Sequence, residues 1–455
     1  MQSESKTMTS ERIPMRQQLA YALSELASCP LYTIVFTFLT FFYTDVLGMN
    51  AGTVGIVILA SKVFDGISDL WAGNLIDHTH TRNGSARPWI LRAAIPLALS
   101  YVLLFTVPNI GNIGKILYIF VTYNFAMTVA FTINNCAINA LPVYMSNDTT
   151  SRSSAYAVRT ICAGVVQMAV SMVFLNLVDS FGGGQAGWIK VSGVLAAISL
   201  IFSLVVYFGT RERTVKTEAE TVENIPFKTA IGSVLKNKYW FMVLAMILII
   251  ALHQVATLTV GVYYAKYILL DEKLAGNLVL YHHLGGAAGM LAMPFILRTG
   301  ISKRSAVFAA GLCMVVGSLI SVFRGDGVFL IASLALRGMG FGITNSLYYG
   351  MLADSVDYGE WKTGIRATAV TTSAASVGNK LGSGLGSALI GLALSAAGYD
   401  GLQAVQSASA ISCIRIVFVV LPLVLYVLLL VLMYFYKLDA QLPQIREELD
   451  RKNNA

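Results

Sequence analysis

The sequence predicts an all-α membrane protein whose chain crosses a bilayer twelve times, in two halves of six helices. Three observations predict it. The 455 residues are 56% hydrophobic and only 12% charged, whereas soluble domains carry about 25% charged residues. Apolar stretches of about 20 residues, the length a bilayer crossing needs, recur along nearly the whole chain. One long polar stretch, from Thr210 to Lys238, separates an earlier group of such stretches from a later one. The apolar runs are continuous and long, not short and alternating, which excludes a transmembrane β-barrel.

The spans are expected at about 20–47, 52–76, 89–108, 115–142, 153–178, 187–209, 238–269, 276–298, 304–323, 328–354, 364–397 and 411–437. Loops at 48–52, 108–114, 179–187, 270–273, 325–327 and 398–401 carry few Lys or Arg residues and face one side. The opposite loops hold Arg82 and Arg87, Arg152, Arg211 and Arg213, Arg298 with Lys303 and Arg304, and Lys362 with Arg366. The termini add Lys6, Arg12, Arg16, Lys437, Arg446, Arg451 and Lys452. The positive-inside rule then places both termini in the cytoplasm. It also accounts for the net charge of +8 without a nucleic-acid partner. The first eighteen or so residues are polar and lack a signal-peptide pattern, so the first span is expected to act as the insertion signal.

The expected organisation is an N-terminal half (1–209), a cytoplasmic linker (210–237), a C-terminal half (238–440) and a cytoplasmic tail (441–455). Six plus six with a central linker suits the major facilitator architecture, whose midplane site lies between halves related by an axis along the membrane normal. All five cysteines (Cys29, Cys136, Cys162, Cys313, Cys413) fall in expected spans without metal-ligand spacing. They read as small packing residues.

The second span holds the sharpest chemical signal. Asp65 and Asp69 are four residues apart, which places both carboxylates on one helix face, roughly 5–6 Å apart at Cβ. Two like charges at membrane depth are costly, and a captured cation or proton relieves both penalties. Ser68 adds a neutral oxygen. The alternative is a structural ion pair of Asp65 with Lys62. Asp77, at the end of the same span, reads as a salt-bridge latch, and His78 and His80 as solvated loop residues. In the fourth span Asn134, Asn135 and Asn139 are buried amides that need partners, in a cavity or between helices. Arg159 and Lys380 are lone cations in apolar surroundings, and Glu25 is a candidate counter-charge. Asp354, Asp357, Glu360, Lys362 and Arg366 alternate in sign at a helix end and read as a gating network. The glycines at 378, 382, 384, 386 and 391 form a small-residue packing face. His253, Gln254, His282 and His283 are expected to pack or to line a cavity.

Four segments together resemble the glycoside–pentoside–hexuronide:cation symporter family, a branch of the major facilitator superfamily. They are Phe42-Tyr43-Thr44-Asp45-Val46-Leu47-Gly48, Phe64-Asp65-Gly66-Ile67-Ser68-Asp69, Arg87-Pro88-Trp89, and Val356-Asp357-Tyr358-Gly359-Glu360-Trp361-Lys362. The resemblance covers essentially the whole chain. It implies a cation site at Asp65 and Asp69 with help from Ser68 and Thr132, and basic residues near a sugar site at Lys380 and Arg159. Melibiose-type members typically carry Asn where this chain has Ser68, and aspartates where it has Cys29 and Asn135. Glu25 falls where many glucuronide- and pentoside-type members carry Asp, so the chain resembles those types more. With two carboxylates lost and both cations kept, the pocket is expected to favour an acidic sugar such as a hexuronide.

The substrate-site candidates are Arg159, Lys380, Asn135, Asn139, Cys29, Glu25 and Asn345. The gating candidates are Asp77, Asp357, Glu360, Lys362 and Arg366. The expectation is a cation-coupled sugar symporter of the plasma (inner) membrane, working by alternating access as a monomer, with Na⁺ or H⁺ as coupling ion and no other cofactor. The rivals are a neutral glycoside or pentoside symporter, a lysolipid carrier on the same fold, and an intramembrane prenyltransferase. That enzyme needs a second acidic motif facing Asp65 and Asp69, and Asp354 with Asp357 has the wrong spacing for one.

Overall fold

In a computed structural model the described residues are 12–79, 81–213, 227–403 and 405–453, nearly all of them helical. Among the described residues, eleven helices are long and apolar enough to cross a membrane. The first six are Met15–Thr37, Ala51–Ile76, Arg87–Phe105, Asn112–Met145, Thr149–Ser180 and Gly184–Gly209. The others are Lys238–Tyr267, Leu274–Arg298, Lys303–Phe323, Gly327–Thr363 and Ala408–Phe435. A further helix, Thr368–Ala396, stands at the place of the expected eleventh span. Its predecessor runs to Thr363, beyond the expected 354, so the charged stretch from Asp354 to Lys362 is helical. It stops at Gly364, which takes the left-handed conformation (φ 70°) that closes many helices.

Side chains cap several starts. Asp148, Asn237, Ser302 and Ser407 each accept a hydrogen bond from a backbone N–H two or three residues on, satisfying donors that helix geometry leaves orphaned. π-helical turns interrupt three spans, at Phe42–Val46, Asn124–Phe131 and Ile416–Val420. Such turns are rare and concentrate at functional positions.

Two compact units form. The first comprises Met1–Ile34, Ile67–Val170 and Leu177–Glu220. A core that includes Tyr21, Ile90, Ile138, Leu141, Tyr144 and Val206 holds it together. Glu212 accepts three backbone N–H groups, from Ser85, Ala86 and Arg87, at 2.7–2.9 Å. It thereby caps the third span, while Arg87 returns two bonds to the carbonyl of Tyr207.

The second unit comprises Val35–Gly66, Ser171–Asn176 and Thr221–Ala455. Its core contains Tyr239, Met246, Met314, Leu347, Met351 and Tyr426. The eighth and tenth spans approach through glycine. A Cβ on Gly338 would collide with the carbonyl of His282, and one on Gly342 with that of Gly286. Residues 441–453 lie in a helix, Leu438–Asn453. Its Leu438, Leu442, Ile445 and Leu449 recur at helical spacing and are buried in the same core. All five cysteines are free thiols, and Cys29 is buried.

Candidate functional site

In the first unit the sequence-named substrate residues converge on one guanidinium. Arg159 donates from Nε to Glu25 Oε1 (2.5 Å) and from Nη2 to Asn135 Oδ1 (3.2 Å). Its Nη1 reaches Asn139 Oδ1 (2.5 Å) and the Tyr21 hydroxyl (3.4 Å). A lone buried cation needs this kind of partnership, and Glu25 supplies it across 134 residues of sequence. Burial of the two ionic side chains is deep but incomplete, at 14% and 8% exposure. Asn139 is exposed and Asn135 half-buried. Each accepts from Arg159 at its carbonyl oxygen, and its amide NH₂ has no hydrogen-bond partner among the described residues. Cys29 is buried one turn after Glu25, its thiol near the carbonyl of Ala163 (3.5 Å) and the hydroxyl of Thr33 (3.8 Å). It offers no charge to replace a carboxylate.

In the second unit Asp65 is 3% exposed and paired with Lys62, Nζ to Oδ2 at 2.9 Å. This is the ion pair that the spacing left open as the alternative to an ion site. The Lys62 ammonium also lies 5.0 Å from the centre of the Phe36 ring, a cation–π distance. Lys380 donates to the backbone carbonyl of Asp65 at 2.6 Å. One turn further on, Gly384 abuts Lys62; a Cβ there would lie 2.9 Å from the Lys62 Cβ. Lys380 and Gly384 therefore form one face of the eleventh helix, shaped to the second. Asp69 follows Asp65 by one helical turn and is half-buried; Ser68 is buried. The Thr132 hydroxyl donates to the carbonyl of Met127, five residues back, where a π-helical turn ends. Asn345 in the tenth span is half-buried and has no hydrogen-bond partner among the described residues.

The gating candidates form a network at the basic-loop end of the second unit. Arg366 meets Glu360 (2.5 Å) and Asp357 (3.5 Å). Arg446, from the last helix, meets both Asp357 (3.0 Å) and Asp354 (3.2 Å), and Lys303 meets Asp354 (2.6 Å). Lys362 instead donates to the carbonyl of Lys236. The side chain of Asp77, like residue His80, lies outside the described residues.

Sequence reasoning missed a second knot, around Asp45. This carboxylate, 1% exposed, accepts from Lys266 and Tyr267 at Oδ1 (both 2.7 Å) and from Thr44 and Tyr399 at Oδ2 (2.7 and 2.6 Å). The π-helical turn over Phe42–Val46 presents it. The available signal was the acid in Phe-Tyr-Thr-Asp-Val with no local counter-charge; apart from Thr44, its partners lie 221 to 354 residues away.

Comparison with known proteins accords with this geometry. Residues 20–440 match the family model described as MFS/sugar transport protein. The isoprimeverose transporter of Lactiplantibacillus pentosus is 33% identical over 97% of this chain and 92% of its own. A putative glycoside/cation symporter of Escherichia coli is 30% identical over 98% and 96%. The glucuronide carrier protein homolog of Escherichia coli is 27% identical over 98% and 97%. Among solved structures, the nucleoside transporter NupG superposes with a TM-score of 0.63 at 14% identity, covering 93% of this chain and 100% of that one. The transporter FucP, in its outward conformation, gives 0.56 at 12% identity, covering 92% and 98%. These two likenesses concern the fold. The relatives are transporters, which removes the intramembrane enzyme. The chain belongs to the MFS/sugar transport proteins, as a glycoside–pentoside–hexuronide:cation symporter with the twelve-helix major facilitator fold.

Proposed function

We propose that this protein carries a glycoside across the plasma membrane by alternating access, driven by Na⁺ or H⁺ bound at Asp65 and Asp69. The convergence of Glu25, Asn135 and Asn139 on Arg159 supports the sugar grip most directly. A carboxylate acceptor, a fixed cation and two amides with NH₂ donors to spare match the mixed donors and acceptors of a polyol. An arriving cation competes with Lys62 for Asp65. Ser68 and Thr132 are assigned as its neutral ligands, and Lys380 and Asn345 to the substrate side.

The two halves, 1–209 and 238–440, are assigned as the moving bodies, with 210–237 as linker, both termini cytoplasmic, and a monomer sufficing. Asp77, Asp357, Glu360, Lys362 and Arg366 are assigned to the cytoplasmic gate. For the substrate, Arg159 and Lys380 speak for an acidic sugar such as a hexuronide, as in the relative named for glucuronides. A second reading, a neutral glycoside, is favoured by the pairing of Arg159 with Glu25, which leaves that group without net charge. It is also favoured by the relative named for isoprimeverose.

Uptake into vesicles from a panel of neutral and acidic glycosides, with Na⁺ and pH gradients imposed separately, tests the proposal. Gradient-driven accumulation of at least one glycoside is expected. Uptake only of hexuronides supports the acidic reading, uptake only of neutral members the other, and accumulation of none sinks both.

A further inference from the structure

Arg337, in the tenth span, is the largest fully buried side chain among the described residues, at 0% exposure. A guanidinium keeps its proton in proteins, so this is a full positive charge inside a helix bundle. No carboxylate pairs with it among the described residues. On its own helix the flanking acids are Asp326 and Asp354, eleven and seventeen residues away, or about 16 and 25 Å by helical rise. Its partners are neutral: the carbonyl of Phe418 (3.3 Å), the hydroxyl of Thr257 (3.1 Å) and the hydroxyl of Tyr426. The Phe418 ring lies 5.5 Å away, and the π-helical turn over Ile416–Val420 carries that carbonyl. Burying a charge without an opposite one is strongly unfavourable.

Three polar atoms here are buried without a hydrogen-bond partner among the described residues: Arg337 Nε, Ser318 Oγ and Ser333 Oγ. Ser333 precedes Arg337 by one helical turn, on the same face. Ser318 follows Gly317, where a Cβ would lie 2.9 Å from the Ser333 carbonyl and 3.1 Å from Arg337 Cγ. Buried polar atoms are nearly always satisfied. One guanidinium N–H and two hydroxyls are a donor set, and the site lacks negative charge. Water would satisfy the donors but not the charge; an anion satisfies both.

We infer that Arg337, Ser318 and Ser333 form an internal site for a small monovalent anion of halide type, between the ninth and tenth spans. The anion is structural, compensating Arg337 where two helices meet, and is separate from the Asp65 and Arg159 groups.

The test is thermal melting of the purified full-length protein in detergent. Samples are dialysed into sodium glutamate, then titrated with sodium chloride or bromide at constant Na⁺ and ionic strength. A saturable rise of about 3 °C or more in either halide is expected, since each tenfold of site occupancy adds stability by mass action. In the Ser318→Ala, Ser333→Ala double variant, which keeps the charge and is conservative in volume, the halide midpoint moves up about tenfold, the cost of two lost hydrogen bonds. In Arg337→Met the rise disappears. Equal melting in glutamate and halide overturns the inference and leaves an internal water in its place. A halide rise unchanged in the double variant overturns it too, as an effect at other sites.

Discussion

Two polar knots, one in each compact unit, use the same chemistry to opposite ends. Around Arg159 a cation collects acceptors of mixed strength, remains partly exposed, and leaves two amide NH₂ groups without a hydrogen-bond partner among the described residues. Around Asp45 an anion is saturated by an ammonium and three hydroxyls, at 1% exposure. The first has unused hydrogen-bonding capacity and suits a ligand that arrives and leaves. The second has none, and joins the end of the first span to Lys266 and Tyr267 of the seventh and to Tyr399 beyond the eleventh helix. A saturated knot is suited to hold one conformation and to break as a unit. The binding role proposed for Arg159 and a gating role for Asp45 are the two readings that this contrast puts to the test.

Arg159→Met separates the two most sharply. It removes the grip and strands Glu25 as an unpaired buried carboxylate, a loss of about 3 kcal/mol or more. Uptake at low substrate concentration should fall on the order of 100-fold. Arg159→Lys should recover little, because an ammonium cannot reproduce the forked geometry. Equal uptake in the methionine variant would break the assignment of binding.

Asp45→Asn should act on turnover instead. Losing the charge on four hydrogen bonds weakens the conformation that the knot holds by about 1–2 kcal/mol, roughly a tenfold change in the conformational equilibrium. The maximal transport rate should change by several-fold while the half-saturating substrate concentration moves less than about threefold. A pure affinity defect would place Asp45 in the binding site after all.

Gly384→Leu tests how the eleventh helix is fitted to Lys62. The added side chain has no room against the Lys62 stem, and overpacking costs about 1–3 kcal/mol. Impaired cation dependence with substrate binding retained is the expected result, read from exchange and gradient-driven uptake side by side.

Tyr399→Phe should be the mildest change, about 1 kcal/mol of stability for one hydrogen bond. Burial beside Tyr263 and the Asp45 carboxylate raises the Tyr399 pKa far above its ordinary value of 10. A raised pKa means that the protonated hydroxyl contributes fully below the unfolded value of about 10 and that this contribution is lost progressively as the pH rises from there through the folded value. The difference in melting temperature between wild type and Tyr399→Phe should therefore be the same at pH 7 and pH 9. A difference that shrinks by pH 9 would contradict the burial argument.

Hydropathy made the spans legible, because each carries its own length and apolar run. The Arg159 knot was half legible: a lone cation at membrane depth demands a counter-charge, and Glu25 was a candidate within the same expected half. The Asp45 knot was not, since its partners come from the seventh span and from a loop 354 residues on. The π-helical turns that present Asp45, Thr132 and Phe418 leave no periodic trace. The last helix was hidden because its polar composition reads as a tail; only the spacing of Leu438, Leu442, Ile445 and Leu449 marks the face that buries. Helical spacing put Asp65 and Asp69 together but left open whether Lys62 or an external ion faces Asp65, and the structure has Lys62 there.

The most direct measurement is paired transport by wild type and Asp69→Asn in one vesicle preparation, scoring uphill accumulation under an imposed Na⁺ or H⁺ gradient against substrate exchange without one. The account predicts that the variant loses accumulation and keeps exchange. Unchanged uphill accumulation in the variant would contradict it.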